Sequence, residues 1–166
     1  VEILAWAAGD GIAVEVVGSG SNLLVADEGV AGLVIKLGGE LTTIEREETR
    51  IACGGGVRLP SAAAKTAAWG LTGLEFGLAI PGTVGGAVWA NAGAHESDIA
   101  AVLETADVLL TDGTDARLTP DELELRYRDS RIKHRPGEVV LAATFRLEPA
   151  DPDVIAGRLD EIRRWR

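Results

Sequence analysis

The chain has 166 residues, 46% hydrophobic and 25% charged, ordinary globular values that exclude a disordered polypeptide. Its 21 glycines, about twice the usual share, show no G-X-Y period, which excludes collagen. Sixteen Lys and Arg against 26 Asp and Glu give a net charge of −10, which speaks against a duplex nucleic-acid binder but leaves room for a small anionic ligand at a local site.

Ile3, Leu4, Ala7 and Ala8 share one helical face, and Gly9 and Gly11 end that helix. No N-cap opens it, so the element is expected to begin upstream of Val1. Residues 12–17 read as a short apolar strand that runs into Gly18-Ser19-Gly20-Ser21-Asn22. Residues 33–37 form a second strand, and residues 41–45 with 49–53 a hairpin pair. Gly54-Gly55-Gly56 then breaks the chain, so a first lobe is expected over residues 1–57 and a second over 58–150. Residues 60–69 are Ala-rich, carry Pro in the first turn and close at Gly70, the pattern of a helix.

Residues 105–111 and 114–118 flank Asp112-Gly113, a two-residue hairpin turn. Thr119-Pro120-Asp121-Glu122 has the form of a capping box and predicts a helix start. Residues 139–147 alternate as a strand. Asp151-Pro152 opens a last helix with Val154, Ile155, Leu159 and Ile162 as its apolar stripe. That helix is still running at Arg166, so residues 151–166 are expected to lead into further chain. Strands and helices mixed in this order define an α+β class.

Sixteen of the 21 glycines fall between Gly18 and Gly93. A strand ending in Gly18-Ser19-Gly20 suits a pyrophosphate, because side-chain-free turns let backbone N–H groups approach it. Leu23 stands where a dinucleotide fingerprint needs its third Gly, so a tight structural turn is an equal alternative. The second segment is Ile80-Pro81-Gly82-Thr83-Val84-Gly85-Gly86-Ala87, followed by Asn91-Ala92-Gly93-Ala94. From Thr66 to Ala116 there are seven acids and no Lys or Arg. A phosphate held there would be gripped by backbone N–H and hydroxyl groups, and glycine permits that close approach. Helix–strand packing selects Gly and Ala too. Residues 76–95 carry no formal charge, but five glycines, Pro81 and Asn91 make them a poor membrane span.

Residues 126–135 hold five positives, Arg126, Arg128, Arg131, Lys133 and Arg135, against Asp129. A solvated surface turn is the plain reading, yet the guanidinium fork suits carboxylates and phosphates. Tyr127 adds a hydroxyl beside Arg128. His95, His134 and Cys53 are widely spaced and match no zinc pattern, so no metal is expected. No Gly-x-Ser-x-Gly elbow marks a hydrolase, and Cys53 reads as a core residue. A single cysteine excludes an internal disulfide and points to a reduced cytoplasm. Glu2 and Asp10 interrupt the apolar start, so no signal peptide is read. No nucleic acid, membrane or obligate protein partner is expected.

Gly-Ser-Gly-Ser-Asn-Leu-Leu at 18–24, Ile-Pro-Gly-Thr-Val-Gly-Gly-Ala at 80–87, Asn-Ala-Gly-Ala at 91–94 and Tyr-Arg-Asp-Ser at 127–130 stand in that order. Together they closely resemble the UDP-N-acetylenolpyruvoylglucosamine reductase family. The resemblance implies the two-lobed α+β FAD-binding domain of the vanillyl-alcohol-oxidase/PCMH type. It implies a FAD pyrophosphate at Gly18, Ser19, Gly20, Ser21, Asn22 and Leu23. Pro81, Gly82, Thr83, Gly85 and Gly86, with Asn91, Ala92, Gly93 and Ala94, would line the phosphates, ribityl chain and flavin. Val139 and Val140 would offer backbone contacts.

The implied reaction is the FAD-dependent, NADPH-using reduction of UDP-N-acetylglucosamine enolpyruvate to UDP-N-acetylmuramate in peptidoglycan synthesis. Arg128 would be the catalytic cation beside the enolpyruvyl carboxylate, with Tyr127 and Ser130 also binding substrate. The family's serine proton donor and its glutamate partner belong to a domain beyond Arg166, so this chain is expected to hold FAD without completing turnover. Two other readings stay open: a non-catalytic FAD- or nucleotide-binding module, and another oxidoreductase of the same flavoprotein superfamily.

Overall fold

A computed structural model of the chain describes residues 2–165. Helix α1 (Glu2–Gly9) leads to strand β1 (Val14–Val16), which pairs in parallel with β2 (Leu33–Ile35). Between them the chain crosses without regular structure, and residues 19–32 are exposed throughout. A 3-10 turn (Gly39–Thr42) precedes the hairpin β3 (Ile44–Glu47) and β4 (Arg50–Gly54). Then come α2 (Leu59–Ala68), β5 (Leu71–Thr72), a 3-10 turn (Glu75–Ala79), α3 (Val84–Trp89), β6 (Gly93–Ala94) and β7 (Ser97–Asp98). Strands β8 (Leu103–Leu109), β9 (Asp115–Leu118), β10 (Val139–Arg146) and β11 (Glu148–Pro149) follow, and α4 (Pro152–Arg164) closes the order.

The main sheet is antiparallel with strand order β3-β4-β10-β8-β9. It draws β3 and β4 from before residue 57 and the other three strands from after it. Strand β10 lies at its centre because the Val139–Arg146 run is apolar enough to be flanked on both sides. Ile51, Cys53, Ala106, Val108 and Phe145 from the sheet join Leu59, Ala62, Val84 and Val88 from α2 and α3 in one buried core. Asp151 caps α4 by accepting from the Asp153 N–H at 2.8 Å, with Pro152 in the first turn. Ile155, Leu159 and Ile162 are the buried face of that helix. Val154 is 52% exposed and falls outside the expected stripe, since it lies about 100° from Ile155 around the helix axis.

Three local expectations give way to tertiary context. Residues 41–43 do not extend the hairpin, because Leu41 and Thr42 belong to the 3-10 turn. The loop between β8 and β9 is a three-residue one, Thr111-Asp112-Gly113, closed by Leu110 N–H to Thr114 O at 2.8 Å with Gly113 at φ 83°. The capping box at Thr119 forms, with Thr119 N–H donating to Glu122 Oε2 at 2.8 Å and Glu122 N–H to Thr119 Oγ1 at 3.4 Å. No helix follows it. Leu123 is buried, Glu124 turns left-handed at φ 50°, and the chain reverses after one turn.

Candidate functional site

The two glycine loops meet. A Cβ on Gly18 would fall 2.5 Å from Thr83 Oγ1, and one on Gly82 would lie 3.9 Å from Ser21 Oγ. Thr83 takes extended backbone and caps α3, accepting from the Gly86 N–H at 3.3 Å. Gly20 sits at φ 70° with open space where a Cβ would point. Among the described residues, no backbone N–H from 18 to 25 has a partner within the protein. Gly18, Ser19, Gly20, Ser21, Asn22 and Leu23 therefore form an open donor surface beside Pro81, Gly82 and Thr83.

Other glycines of the expected cradle face inward. Val84 N–H donates to Val57 O and Gly85 N–H to Gly55 O, each at 2.8 Å, so these donors are committed within the fold. A Cβ on Gly85 would lie 3.0 Å from Gly55 O and 3.3 Å from Val140 O. Gly85 thus lets α3 lie against the end of β4 and the start of β10, where Val139 and Val140 are buried. Gly86, one residue on, is exposed. Ala92 is buried, and its N–H donates to Ala87 O at 2.8 Å. Gly93 pairs with Asp98, where a Cβ would meet Ser97 O at 2.7 Å. Ala94 is half-buried and pairs with Ser97. His95 and Glu96 make the tight turn after it, both left-handed at φ 50° and 62°.

Asn91 is buried at φ 40°, and its side chain is fully occupied. Its Nδ2 donates to Asp98 Oδ2 at 3.2 Å and to Arg126 O at 2.9 Å, while its Oδ1 accepts from the Ala100 N–H at 2.9 Å. Ser130 is buried too, and its hydroxyl donates to Trp89 O at 2.6 Å. Both side chains brace backbone, and their hydrogen-bond donors are committed within the protein.

Tyr127 and Arg128 occupy the tip of a tight turn. Arg126 and Asp129 exchange backbone hydrogen bonds at 3.0 and 3.1 Å, and Arg128 is left-handed at φ 58°. Tyr127 is 89% exposed, and the Arg128 guanidinium lies 6.0 Å from the centre of its ring. Around them Arg126 faces Glu124, Arg131 faces Glu138 and His134 faces Asp129. Among the described residues Arg128, Lys133 and Arg135 have no acidic partner, and of these Arg128 stands at the tip of the turn. The His134 hydrogen bond and charge hold the Asp129 carboxyl below its ordinary range.

The Arg131–Glu138 pair, at 2.8 Å with side chains 21% and 4% exposed, is a feature the sequence does not announce. Arg131 Nε and Glu138 Oε2 are buried without partners, a half-made fork tying the arginine segment to the start of β10. Its only sequence sign is an acid set against the apolar pair Val139-Val140. Cys53 is buried, and burial pushes its thiol up to about 12, which removes it as a nucleophile at neutral pH.

The site is thus an open glycine surface at one end of α3 and an unpaired arginine turn braced to its other end. Residues 1–119 match the family model described as FAD binding domain. The chain belongs to the FAD-binding domain family. Its similarity reaches further along the chain. The UDP-N-acetylenolpyruvoylglucosamine reductase of Rubrobacter xylanophilus is 46% identical over 94% of this chain and 52% of its own length. The corresponding reductase of Bacillus subtilis is 45% identical over 91% of this chain and 50% of its own. This FAD-binding domain therefore spans about half the length of the curated relatives it matches.

Among solved structures, the UDP-N-acetylenolpyruvylglucosamine reductase of Thermus caldophilus aligns with TM-score 0.84 at 39% identity, covering 93% of this chain and 56% of that one. The 6-hydroxy-D-nicotine oxidase of Arthrobacter nicotinovorans, at TM-score 0.60 and 20% identity over 88% of this chain and 33% of its own, shares the fold. The α+β fold is that of the vanillyl-alcohol-oxidase-type flavoproteins. FAD fits the residues present: unpartnered N–H groups over 18–25 suit its diphosphate, and the space at Gly20 admits it closely. No helix among the described residues is long and apolar enough to cross a membrane.

Proposed function

We propose that this FAD-binding domain serves a UDP-N-acetylenolpyruvoylglucosamine reductase, which uses NADPH to convert UDP-N-acetylglucosamine enolpyruvate to UDP-N-acetylmuramate for peptidoglycan in the cytoplasm. The observation that carries the reading is the turn at 126–129. It presents Arg128 without an acidic partner, braced to the helix whose other end meets both glycine loops. The six residues of α3 separate the two features by about 9 Å of helix rise.

When bound, FAD supplies hydride transfer between a nicotinamide and a carbon acceptor. Everything else falls to this chain's residues. The N–H groups of residues 18–23 receive the diphosphate, and Pro81, Gly82, Thr83 and Gly86 form the opposite wall. Gly85, Asn91, Ala92, Gly93, Val139 and Val140 hold that wall in shape from behind, with Ala94 at its edge. Arg128 grips the enolpyruvyl carboxylate and stabilises the negative charge that spreads into it from the α-carbon. Tyr127 flanks the guanidinium, and Ser130 acts through the Trp89 carbonyl.

Stopped-flow measurements on the reductase containing this domain test the assignment. Arg128→Ala is expected to leave reduction of the flavin by NADPH unchanged and to slow its reoxidation by the enolpyruvyl substrate about 10²–10³-fold. Undiminished reoxidation would overturn the role given to Arg128.

A further inference from the structure

Arg128 is held in a conformation that a non-glycine residue adopts at a cost, with φ at 58°. Such a backbone persists only where its surroundings fix it. Since no acid anchors the guanidinium, the direction in which it leaves the turn is set by that backbone. Two of the turn's residues and the one that follows it have obvious restraints. Asn91 holds the Arg126 carbonyl, His134 holds the Asp129 carboxylate and the Trp89 carbonyl holds Ser130. The restraint on Arg128 itself comes from Lys133, whose ammonium donates to the Arg128 carbonyl at 2.9 Å.

The same ammonium lies 5.1 Å from the centre of the Trp89 ring. Trp89 is in turn tied to the turn by the Ser130 hydroxyl, and the Lys133 N–H donates to Ser130 O at 3.1 Å. Trp89, Ser130 and Lys133 therefore close a ring of contacts behind Arg128. A lysine on the surface ordinarily leaves its head in water, free to sample many rotamers. Here a carbonyl and an aromatic face fix it at once.

We propose that Lys133 is the positioning residue of this turn: seated on Trp89, it locks the left-handed backbone of Arg128 and so aims the guanidinium at the substrate carboxylate. Its own charge touches no substrate. The claim about the turn stands on the contacts alone, whereas the link to a carboxylate rests on the function proposed above.

Amide hydrogen exchange on this chain tests the lock without any reaction. In Lys133→Met the Arg126 and Asp129 amides, which close the turn, are expected to lose about 10-fold in protection, the scale of a lost hydrogen bond to a charged donor. Amides of β10 serve as the internal control and stay unchanged, since Lys133 is exposed and outside the core. Lys133→Arg, which keeps a cation, a donor and a face to stack, restores the protection, and Trp89→Phe falls between. Turn amides unaffected by Lys133→Met, or not rescued by Lys133→Arg, overturn the proposal.

In the reductase, Lys133→Met is expected to lower the rate of flavin reoxidation about 10-fold, leaving the KM for NADPH unchanged, again with rescue by Lys133→Arg. A parent protein that fails to turn over the enolpyruvyl substrate would defeat the functional reading while the exchange experiment still decided the lock. An altered turn in Lys133→Met with parental reoxidation would show that the lock does not aim Arg128.

Discussion

Asn91 Nδ2 donates to the carbonyl of Arg126 at 2.9 Å, so the segment that ends α3 also holds the base of the turn presenting Arg128. The glycine surface and the arginine turn share one mechanical support. Movement at the end of α3 reaches both.

Replacing Asn91 should therefore be costly. Asn91→Ala leaves Arg126 O and Ala100 N–H without side-chain partners and places Ala at φ 40°, an expected loss of about 2–3 kcal/mol. Asn91→Asp is expected to be worse at neutral pH, because a new carboxylate would face Asp98 Oδ2, now 3.2 Å from the amide nitrogen. Urea melts at pH 7 rank the variants, and an Asn91→Asp protein as stable as the parent would contradict the account.

The adjacent glycines separate packing from ligand contact. Gly85→Ala forces a Cβ to 3.0 Å from Gly55 O, a backbone atom that cannot step aside, and is expected to cost about 1–3 kcal/mol. At Gly86 a Cβ meets only Thr83 Oγ1 at 3.5 Å, so Gly86→Ala should leave stability within about 0.5 kcal/mol of the parent. If Gly86 lines the cofactor, the same variant weakens FAD binding. Thermal melts paired with FAD titration read both outcomes.

Gly18 and Thr83 should be coupled. A Cβ at Gly18 would displace Thr83 Oγ1 from 2.5 Å and so loosen the cap on Gly86. Gly18→Ala is expected to destabilise the parent by about 1–2 kcal/mol. In a Thr83→Ala background, where no hydroxyl is left to displace, it should cost much less. A double-mutant cycle measures the coupling, and strict additivity would refute the contact.

Acid should unfold the protein through its paired carboxylates. Arg50 and Arg146 hold the Glu104 carboxyl down, hydrogen bonds from Thr114 and Thr119 do so at Asp112 and Glu122, and His134 does so at Asp129. Each has a folded pKa below its unfolded one, so each contributes stability that is complete above the unfolded value, about 4, and is lost as pH falls through the folded value. Stability should thus drop below about pH 4.5, and Glu104→Gln should flatten that slope. Urea midpoints across this range provide the check.

Cys53 should be silent toward thiol reagents in the native protein, because burial holds its thiol at about 12. Reaction with a chromogenic disulfide should appear only with unfolding. Prompt labelling under native conditions would mean that the core beneath β4 opens readily.

The sequence by itself determined what depends on near neighbours. The break in the chain at Gly18-Ser19-Gly20, Asp151-Pro152 as a helix start, the apolar run of β10 and the capping box at Thr119 all follow from local backbone preference and side-chain periodicity. The motifs that carry the family resemblance were legible for the same reason: each is a short run of residues that a local backbone shape requires.

Tertiary structure alone decided which members of those motifs face a ligand. Gly85, Asn91 and Ser130 are indistinguishable from their neighbours along the chain, yet each is committed inward to Gly55, Arg126 or Trp89, which lie 30, 35 and 41 residues away. The same distance effect ends the Thr119 helix after one turn, pairs Arg131 with Glu138 and places Lys133 on Trp89. The physical reason is that a hydrogen-bond donor or a Cβ-free surface has no meaning until the packed chain decides what stands opposite it.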